Sequence, residues 1–586
     1  MIRMLVLVLL LSVSSFAQEK ITSGELLQHI SVLASDDYGG RFTGSPGAVK
    51  SSEYIQKEFA SYGVQPAFSD SYFQTFEFIE DVGMKGENSL RVNGKPLQLS
   101  TEYTPLGFSG NATVSAELVF VGYGISAEKL HYDDYAGIDV KGKIVVALRH
   151  YPGYPSKDPH SGFDRYADFR FKASTARDKG AAGIVFINGY SAGTEDKLPA
   201  FRFDRAGGMK DFPVAFVLRD AILPYFESAG KSLQNTQMNI DTSMSSNSYV
   251  LTGVTADIRT GVELKKSVCR NVAGIIPGSD PKMKDRFIVI GAHYDHLGYG
   301  EVGSLTNTHE IHNGADDNAS GVSGMLELAE QFAKEKSNGK SILLIAFSGE
   351  ELGLLGSSYF TDNLPVPASQ IDAMINMDMI GRLDTASSLI AYGTGTSSVF
   401  PDMLTRINGQ YHFALTQQEE GFGASDHSAF YTKSIPVLFF FTGIHNDYHK
   451  PSDDTHFINA EGQERVVNFI YQVAGELAKL SDKPDFKKVE KKDNNRMSAM
   501  RVYVGTIPDY TWTGEGYKLG GVSEGGPAQK AGLVKGDIMI KFGESKITSI
   551  YDYMNATTNY KPGDIVDIVV LRDGKEMTVK LELKGK

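Results

Sequence analysis

Cysteine is nearly missing from this chain: Cys269 stands alone among 586 residues. That excludes an intrachain disulfide, and the thiol beside Val268 reads as a small apolar filler. Long apolar runs are scarce too. Past the first residues, nothing approaches the ~18–20 apolar residues that a membrane-spanning helix needs. No HExxH is present, which removes the helix-borne zinc peptidase design. GFGAS near 421 and FSGEE near 347 lack the surroundings of a serine nucleophile elbow. No glycine-rich stretch ends as a GxxxxGK[ST] phosphate loop. Basic charge is also short: 58 Lys and Arg face 71 Asp and Glu, a net −13, with no basic cluster in the body of the chain. Nucleic acid is therefore not an expected partner.

What is present begins with MIRMLVLVLLLSVSSFAQEK. Arg3, the apolar Leu5 to Leu11 and Ser15-Phe16-Ala17 before Gln18 have the layout of a secretory signal peptide over 1–17. No cysteine follows the apolar core, which argues against a lipid anchor there. The mature chain is expected to be exported, to the bacterial periplasm or outside the cell, without a stable membrane span.

With 586 residues the chain is too long for one core. Residues 18–112 start with helical periodicity (Leu26, Leu27, Ile30, Leu33, then about Ala48 to Tyr62) around the loop GGRFTGSPG. Strand patterns follow in YFQTFEF and LRVNG. Residues 113–252 form a β-rich insert with VFVGYGI, DDYAGIDVKGKIVV and ARDKGAAGIVFI in an order that resembles the protease-associated (PA) domain. Residues 253–482 alternate apolar strands (RFIVIGAH, SILLIAFS, AMINMDMIG, IPVLFFFTG) with helices, so an α/β fold is expected. Its mixed sheet would be sandwiched by helices, with ligands beyond the strands' carboxyl ends. Residues 483–497 read as a charged linker. In 498–586, Pro527-Ala528, Ala531-Gly532-Leu533 and Gly536-Asp537 resemble a PDZ domain, which implies capture of a peptide C-terminus by strand addition.

The chemistry gathers between residues 287 and 453, in FIVIGAHYDHLG, NGADDNASG, LIAFSGEELGLLGS, MINMDMIGR and DYHKPSD. Each puts an acid or histidine at a strand end or in a turn. Two zinc-like ions want nitrogen and oxygen donors, commonly with one bridging carboxylate. His293, an aspartate of the Asp316-Asp317 pair, the Glu350-Glu351 pair, Asp378 and His449 could supply them.

This pattern resembles the zinc aminopeptidases of family M28, over about 24–110 and 256–480. That fold is the zinc exopeptidase, phosphorylase/hydrolase-like one. The resemblance implies two Zn²⁺ per chain, with Co²⁺ or Mn²⁺ suited to the same donors. It selects Asp317 as the bridge by alignment on the DN pair. His293 and Asp378 would complete one site, Glu351 and His449 the other. Glu350 would be the general base acting on the water between the ions. Asp295 would hydrogen-bond the second ring nitrogen of His293, and Tyr448 would face the developing oxyanion. Asp426, His427, His445, His296, His309 and His312 read as neighbours of the site.

The implied activity is release of N-terminal residues from peptide substrates. A carboxypeptidase or dipeptidase would need a cation for the substrate carboxylate, for which Arg382 is the candidate. A glutaminyl cyclase would keep a single-zinc pattern, and a non-catalytic peptide-binding scaffold would lack ligands or base. Composition leaves oligomeric state undetermined.

Overall fold

A computed structural model describes residues 21–585 except 155–161, 164–165, 192–194, 204–207, 301, 307, 490–501, 509–515, 523–525, 548–552, 554–555, 558–559 and 562. The expected leader, the second half of the linker and almost all of the PDYTWTGEG segment thus lie outside the described residues. Backbone contacts divide the chain into two units, Met1–Phe76 with Val268–Lys586, and Glu77–Ser267.

In the first unit, helix α1 (Ser23–Leu33) starts on a reciprocal cap: Thr22 accepts the Glu25 N–H and the Glu25 side chain accepts the Thr22 N–H. Helix α2 (Pro46–Ser61) starts on Ser45, whose hydroxyl accepts the Ala48 N–H, with proline in the first turn. Nine strands follow, of which β2 and β3 extend past the unit's bounds: β1 (Gln65–Pro66), β2 (Phe73–Met84), β3 (Val262–Ile276), β4 (Phe287–His293), β5 (Ser341–Phe347), β6 (Ile371–Met377), β7 (Ser388–Tyr392), β8 (Ala414–Gln417) and β9 (Val437–Phe441). They form one sheet in the order β1-β3-β5-β4-β6-β9-β7-β8, with β2 also on β3. The central four, β5-β4-β6-β9, run parallel; β3 and β7 flank them antiparallel.

Five further helices complete the layers: α3 (Gly321–Glu335), α4 (Leu355–Asp362), α5 (Phe400–Tyr411), α6 (His427–Thr432) and α7 (Ala460–Lys479). Strand β4 is buried along its whole length, so both of its faces must be apolar. Ile288, Ile290 and Ala292 pack with Leu26 of α1, Met325 and Leu326 of α3 and Ile470 of α7. Val289 faces the other way, with Phe360 of α4 and Phe430 of α6. The sheet is mixed and covered on both sides, as the strand-helix alternation predicts.

After α7 the chain does not leave at once. Asp485 accepts hydrogen bonds from Ser397 Oγ (2.9 Å) and Ser398 N (2.9 Å), and Lys487 N donates to Thr396 O at 2.8 Å. Val489 N donates to the Tyr431 hydroxyl at 2.9 Å. The first half of the charged segment is therefore strapped down. Beyond it, antiparallel strands Ile538–Phe542, Ile565–Arg572 and Lys575–Glu582 enclose Leu519, Met539, Phe542, Ile568, Val570 and Leu581. Asp537 of the Gly-Asp pair is fully buried and paired with Arg572 at 2.6 Å.

The second unit holds an eight-stranded sheet in the order Lys95–Pro96, Ser89–Val92, Tyr249–Thr260, Ala112–Phe120, Ile144–Leu148, Gly183–Ile187, Val214–Val217, Tyr103–Pro105. Three strands between 89 and 105, which the sequence groups with the amino-terminal segment, thus join this sheet. Asp134, fully buried, accepts the Tyr123 and Ile125 N–H groups (both 3.0 Å) and the Tyr132 hydroxyl (2.6 Å). Burial pushes its carboxyl up to about 7. Gly189 to Gly193 spells GxSxG, but Ser191 accepts the Gln237 amide at 3.0 Å within a cluster that includes Tyr123 and Asp241. Among the described residues, no helix is long and apolar enough to cross a membrane.

Candidate metal centre

Because β5, β4, β6 and β9 are parallel, their carboxyl ends share one edge of the sheet. His293 is the last residue of β4, Asp378 the first after β6, and Glu350-Glu351 follow β5 across a short turn. After β4 the chain crosses to β5 on one side and then to β6 on the other. Such a switch leaves a crevice at the strand ends. Asp317 enters it from the turn before α3. Asn318 staples that turn to β6: its Nδ2 donates to Met377 O (3.0 Å), and its Oδ1 accepts Gly321 N (2.9 Å) and Met379 N (3.2 Å). A Cβ on Gly321 would meet Asn318 Oδ1 at 2.3 Å, so glycine is required there.

The side chains converge on Asp317. Its Oδ1 is 3.4 Å from His293 Nε2, which is itself 3.4 Å from Asp378 Oδ1. Its Oδ2 is 3.3 Å from His449 Nε2, which is 3.3 Å from Glu351 Oε2. These separations match the edge of a tetrahedron, about 3.3–3.4 Å when ligand atoms stand ~2.0–2.1 Å from a central zinc. They are too long for good hydrogen bonds, and His293 Nε2 and Asp378 Oδ1 are buried without any hydrogen-bond partner. Orphaned nitrogen and oxygen donors at ligand spacing fit a cation among His293, Asp317 and Asp378.

Electrostatics agree. Arg41 is the buried guanidinium facing Asp317, Asp453, Asp295 and Glu351. Burial raises Glu350 well above the usual carboxylate range; His293 opposes this, while Glu351, Asp378 and Asp426 add to it. Burial alone would lower His293, but Asp378 and Glu350 raise it well above the usual histidine range. His449, lowered by burial and raised more by Glu351 and Asp317, reaches about 11. An acid-rich basin this deep calls for positive charge.

Supporting contacts orient each donor. His293 Nδ1 donates to the main-chain carbonyl of Asp295 at 3.1 Å. This corrects the expected role of Asp295: its carboxylate lies 3.8 Å from that nitrogen and instead accepts Thr43 Oγ1 (2.8 Å) and Glu350 N (3.2 Å). The carbonyl is nearer because the ring folds back over its own chain turn. His449 Nδ1 donates to Gly303 O at 2.9 Å, and its carbonyl accepts Leu305 N at 2.9 Å. Ser425 Oγ donates to Asp378 Oδ2 at 2.8 Å. Tyr448 stacks on His449 with ring centroids 3.8 Å apart.

Asp316 turns away from the crevice. Its Oδ1 accepts Gly381 N (2.7 Å) and its Oδ2 faces His445 Nε2 at 3.2 Å. The fully buried Asp453 accepts the main-chain N–H of both Asp316 (3.1 Å) and Asp317 (3.0 Å). Replacing Asp453 by Ala should therefore cost about 2–3 kcal/mol in urea unfolding of metal-free protein. An unmoved midpoint would show that these N–H groups find other acceptors. Of the remaining neighbours, His427 stacks on Phe439 (4.7 Å) and is lowered to about 3 by burial. His309 stacks on Tyr299 and His312 meets Ser304 at 2.8 Å. Arg382 is taken up by Asp447 at 2.7 Å and lies over the Phe457 ring.

Residues 271–474, which hold every one of these donors, match peptidase family M28. The segment that holds the site belongs to peptidase family M28. Residues 114–224 match the PA domain and 489–583 a PDZ domain. Aminopeptidase YwaD of Bacillus subtilis is 29% identical over 224 residues, 37% of this chain and 46% of that protein. A probable zinc metalloprotease of Pyrenophora tritici-repentis is 37% identical over 111 residues, 19% of this chain and 24% of that protein. The chain thus spans less than half the length of these curated relatives. An aminopeptidase from Aneurinibacillus sp. strain AM-1 aligns at 23% identity and TM-score 0.46, covering 80% of this chain and 96% of that one. Arg41 and Thr43, which hold the M28 segment from outside it, carry no signal of their own in the sequence beyond a glycine-rich loop.

Proposed function

We propose that this chain is an exported two-metal aminopeptidase that removes N-terminal residues from peptides. The observation that carries the reading is the Asp317 carboxylate, with one oxygen beside His293 and the other beside His449. Asp317 would bridge two zinc ions, His293 and Asp378 would hold one, and Glu351 and His449 the other. When bound, the ions supply Lewis-acid polarisation of an attacking water and of the scissile carbonyl.

The chain's own residues do the rest. Glu350, raised by burial, takes the proton of the attacking water and delivers it to the leaving amine. Tyr448, which burial and the surrounding carboxylates hold well above the usual phenol range, stays a hydroxyl donor and meets the developing oxyanion. The excess of carboxylates suits the α-ammonium of a free N-terminus. A carboxypeptidase would need a free cation, and Arg382 is already engaged by Asp447. The names of the relatives, an aminopeptidase and a probable zinc metalloprotease, support the same chemistry. Export rests on the leader-like residues 1–17, and capture of a peptide C-terminus by the PDZ domain is part of the same proposal.

The test is to supply Zn²⁺ and a panel of free and N-acetylated peptides, and to follow products by mass spectrometry. Stepwise loss from free N-termini, abolished by acetylation, is expected. Loss from the C-terminal end would sink the reading.

A further inference from the structure

The HYDH segment carries an imidazole that the ligand set leaves unused. His296 is fully buried, and its Nδ1 lies 2.8 Å from Glu351 Oε1 and 3.8 Å from Asp317 Oδ2. Neither distance has the ~3.3–3.4 Å of two ligands on one tetrahedral zinc. The shorter is a charge-assisted hydrogen bond. An ionised carboxylate is acceptor-only, so Nδ1 carries the proton and donates. The two oxygens of Glu351 then have separate partners: Oε1 the His296 N–H, Oε2 the His449 side of the centre.

The ring is built in rather than loosely placed. His296 N donates to Arg41 O at 3.2 Å. Arg41 donates through Nε to Tyr294 O (2.8 Å) and through its two terminal nitrogens to Asn313 O (2.6 Å) and Gly314 O (3.0 Å), so it ties the chain on both sides of the ring. At Gly314, φ is +57° and a Cβ would meet His296 Cδ2 at 2.5 Å, so the missing side chain is the space the imidazole occupies.

We propose that His296 is a positioning residue that reserves Glu351 Oε1 and makes Glu351 a one-oxygen ligand on the His449 side of the centre. It deepens the two-metal reading and rests on it. Neighbours that hold a ligand in this way typically contribute about 10–100-fold to metal affinity. Because its hydrogen bond goes to Glu351, its effect falls chiefly on the ion beside Glu351.

The test uses the full chain titrated with Co²⁺, read by ligand-field absorption and by competition with a chelator. Glu351→Gln and Asp378→Asn chains identify which uptake step belongs to which side. His296→Leu should weaken the Glu351-side ion about 10–100-fold, with the other ion's affinity less affected and the melting temperature unchanged. His296→Gln, whose amide can still donate, should restore part of the loss. Unaltered affinity in His296→Leu overturns the proposal. So does equal weakening of both ions with a lowered melting temperature, which would mark a packing role. Complete loss of the ion in both variants would make His296 a ligand and also overturn it. A parent chain that takes up a single ion refutes the two-metal reading and this proposal with it; a two-ion parent with an unaffected His296→Leu chain refutes the proposal alone.

Discussion

A Glu350→Gln enzyme should keep its metal and lose its turnover, by about 10²–10⁴-fold in kcat. Glutamine preserves size and hydrogen-bonding shape but cannot take a proton. In the proposed role Glu350 is the group that accepts the water proton. The change leaves every donor of the centre in place, since Asp317, His293, Asp378, Glu351 and His449 make their mutual contacts without it. Its main-chain N–H, which donates to Asp295, also survives the substitution. Metal content measured beside kcat therefore separates base from ligand. A variant that turns over normally removes Glu350 as the base. One that loses metal along with activity makes it part of the ligand set and reverses the roles within the Glu350-Glu351 pair.

The largest stability effect is expected from Arg41→Leu, about 3–5 kcal/mol in chemical unfolding. Arg41 is 1% exposed and its guanidinium serves four carbonyls: Leu33 (2.7 Å), Tyr294 (2.8 Å), Asn313 (2.6 Å) and Gly314 (3.0 Å). Burial lowers it to about 10, and Asp317 and Asp453 oppose that, so it remains charged at neutral pH. Leucine would take the donor from the Leu33, Tyr294 and Asn313 carbonyls, leave Gly314 O only the Ala319 N–H, and remove the cation that faces Asp317, Asp295 and Glu351. Arg41→Lys should recover little, because an ammonium cannot span the same fork of acceptors. A Leu variant as stable as the parent would mean that these carbonyls are satisfied some other way.

Much of the α/β body was readable because it is local. An apolar run such as FIVIGAH declares a doubly buried strand, and its terminal histidine falls at the strand end by chain connectivity alone. Helices α3 and α7 announce themselves by period. Less legible were pairings between distant segments. Ser89–Val92 and Tyr103–Pro105 join the sheet of the second unit through Tyr249–Thr260 and Val214–Val217, and nothing local in a short strand says which edge it will meet. The charged segment after α7 reads as solvated linker by composition. Yet Asp485 is held by Ser397 and Ser398, which lie almost ninety residues earlier in the chain.

The site divides along the same line. Residue types and their strand-end spacing were enough to nominate His293, the aspartate and glutamate pairs, Asp378 and His449 as chemistry-bearing, because that much depends on composition and on the two-residue strand period. Which member of each pair does what could not come from the sequence by itself. Asp316 and Asp317 are chemically identical neighbours, separated only when Asp453 takes their N–H groups and the turn sends one carboxylate to His445 and the other between two imidazoles. The same holds for Asp295, whose carbonyl rather than carboxylate reaches His293, and for His296, whose partner Glu351 is 55 residues away in the chain. Hydrogen bonds and ligand geometry act over about 3 Å. Distances of that size between remote segments exist only after the strands have packed.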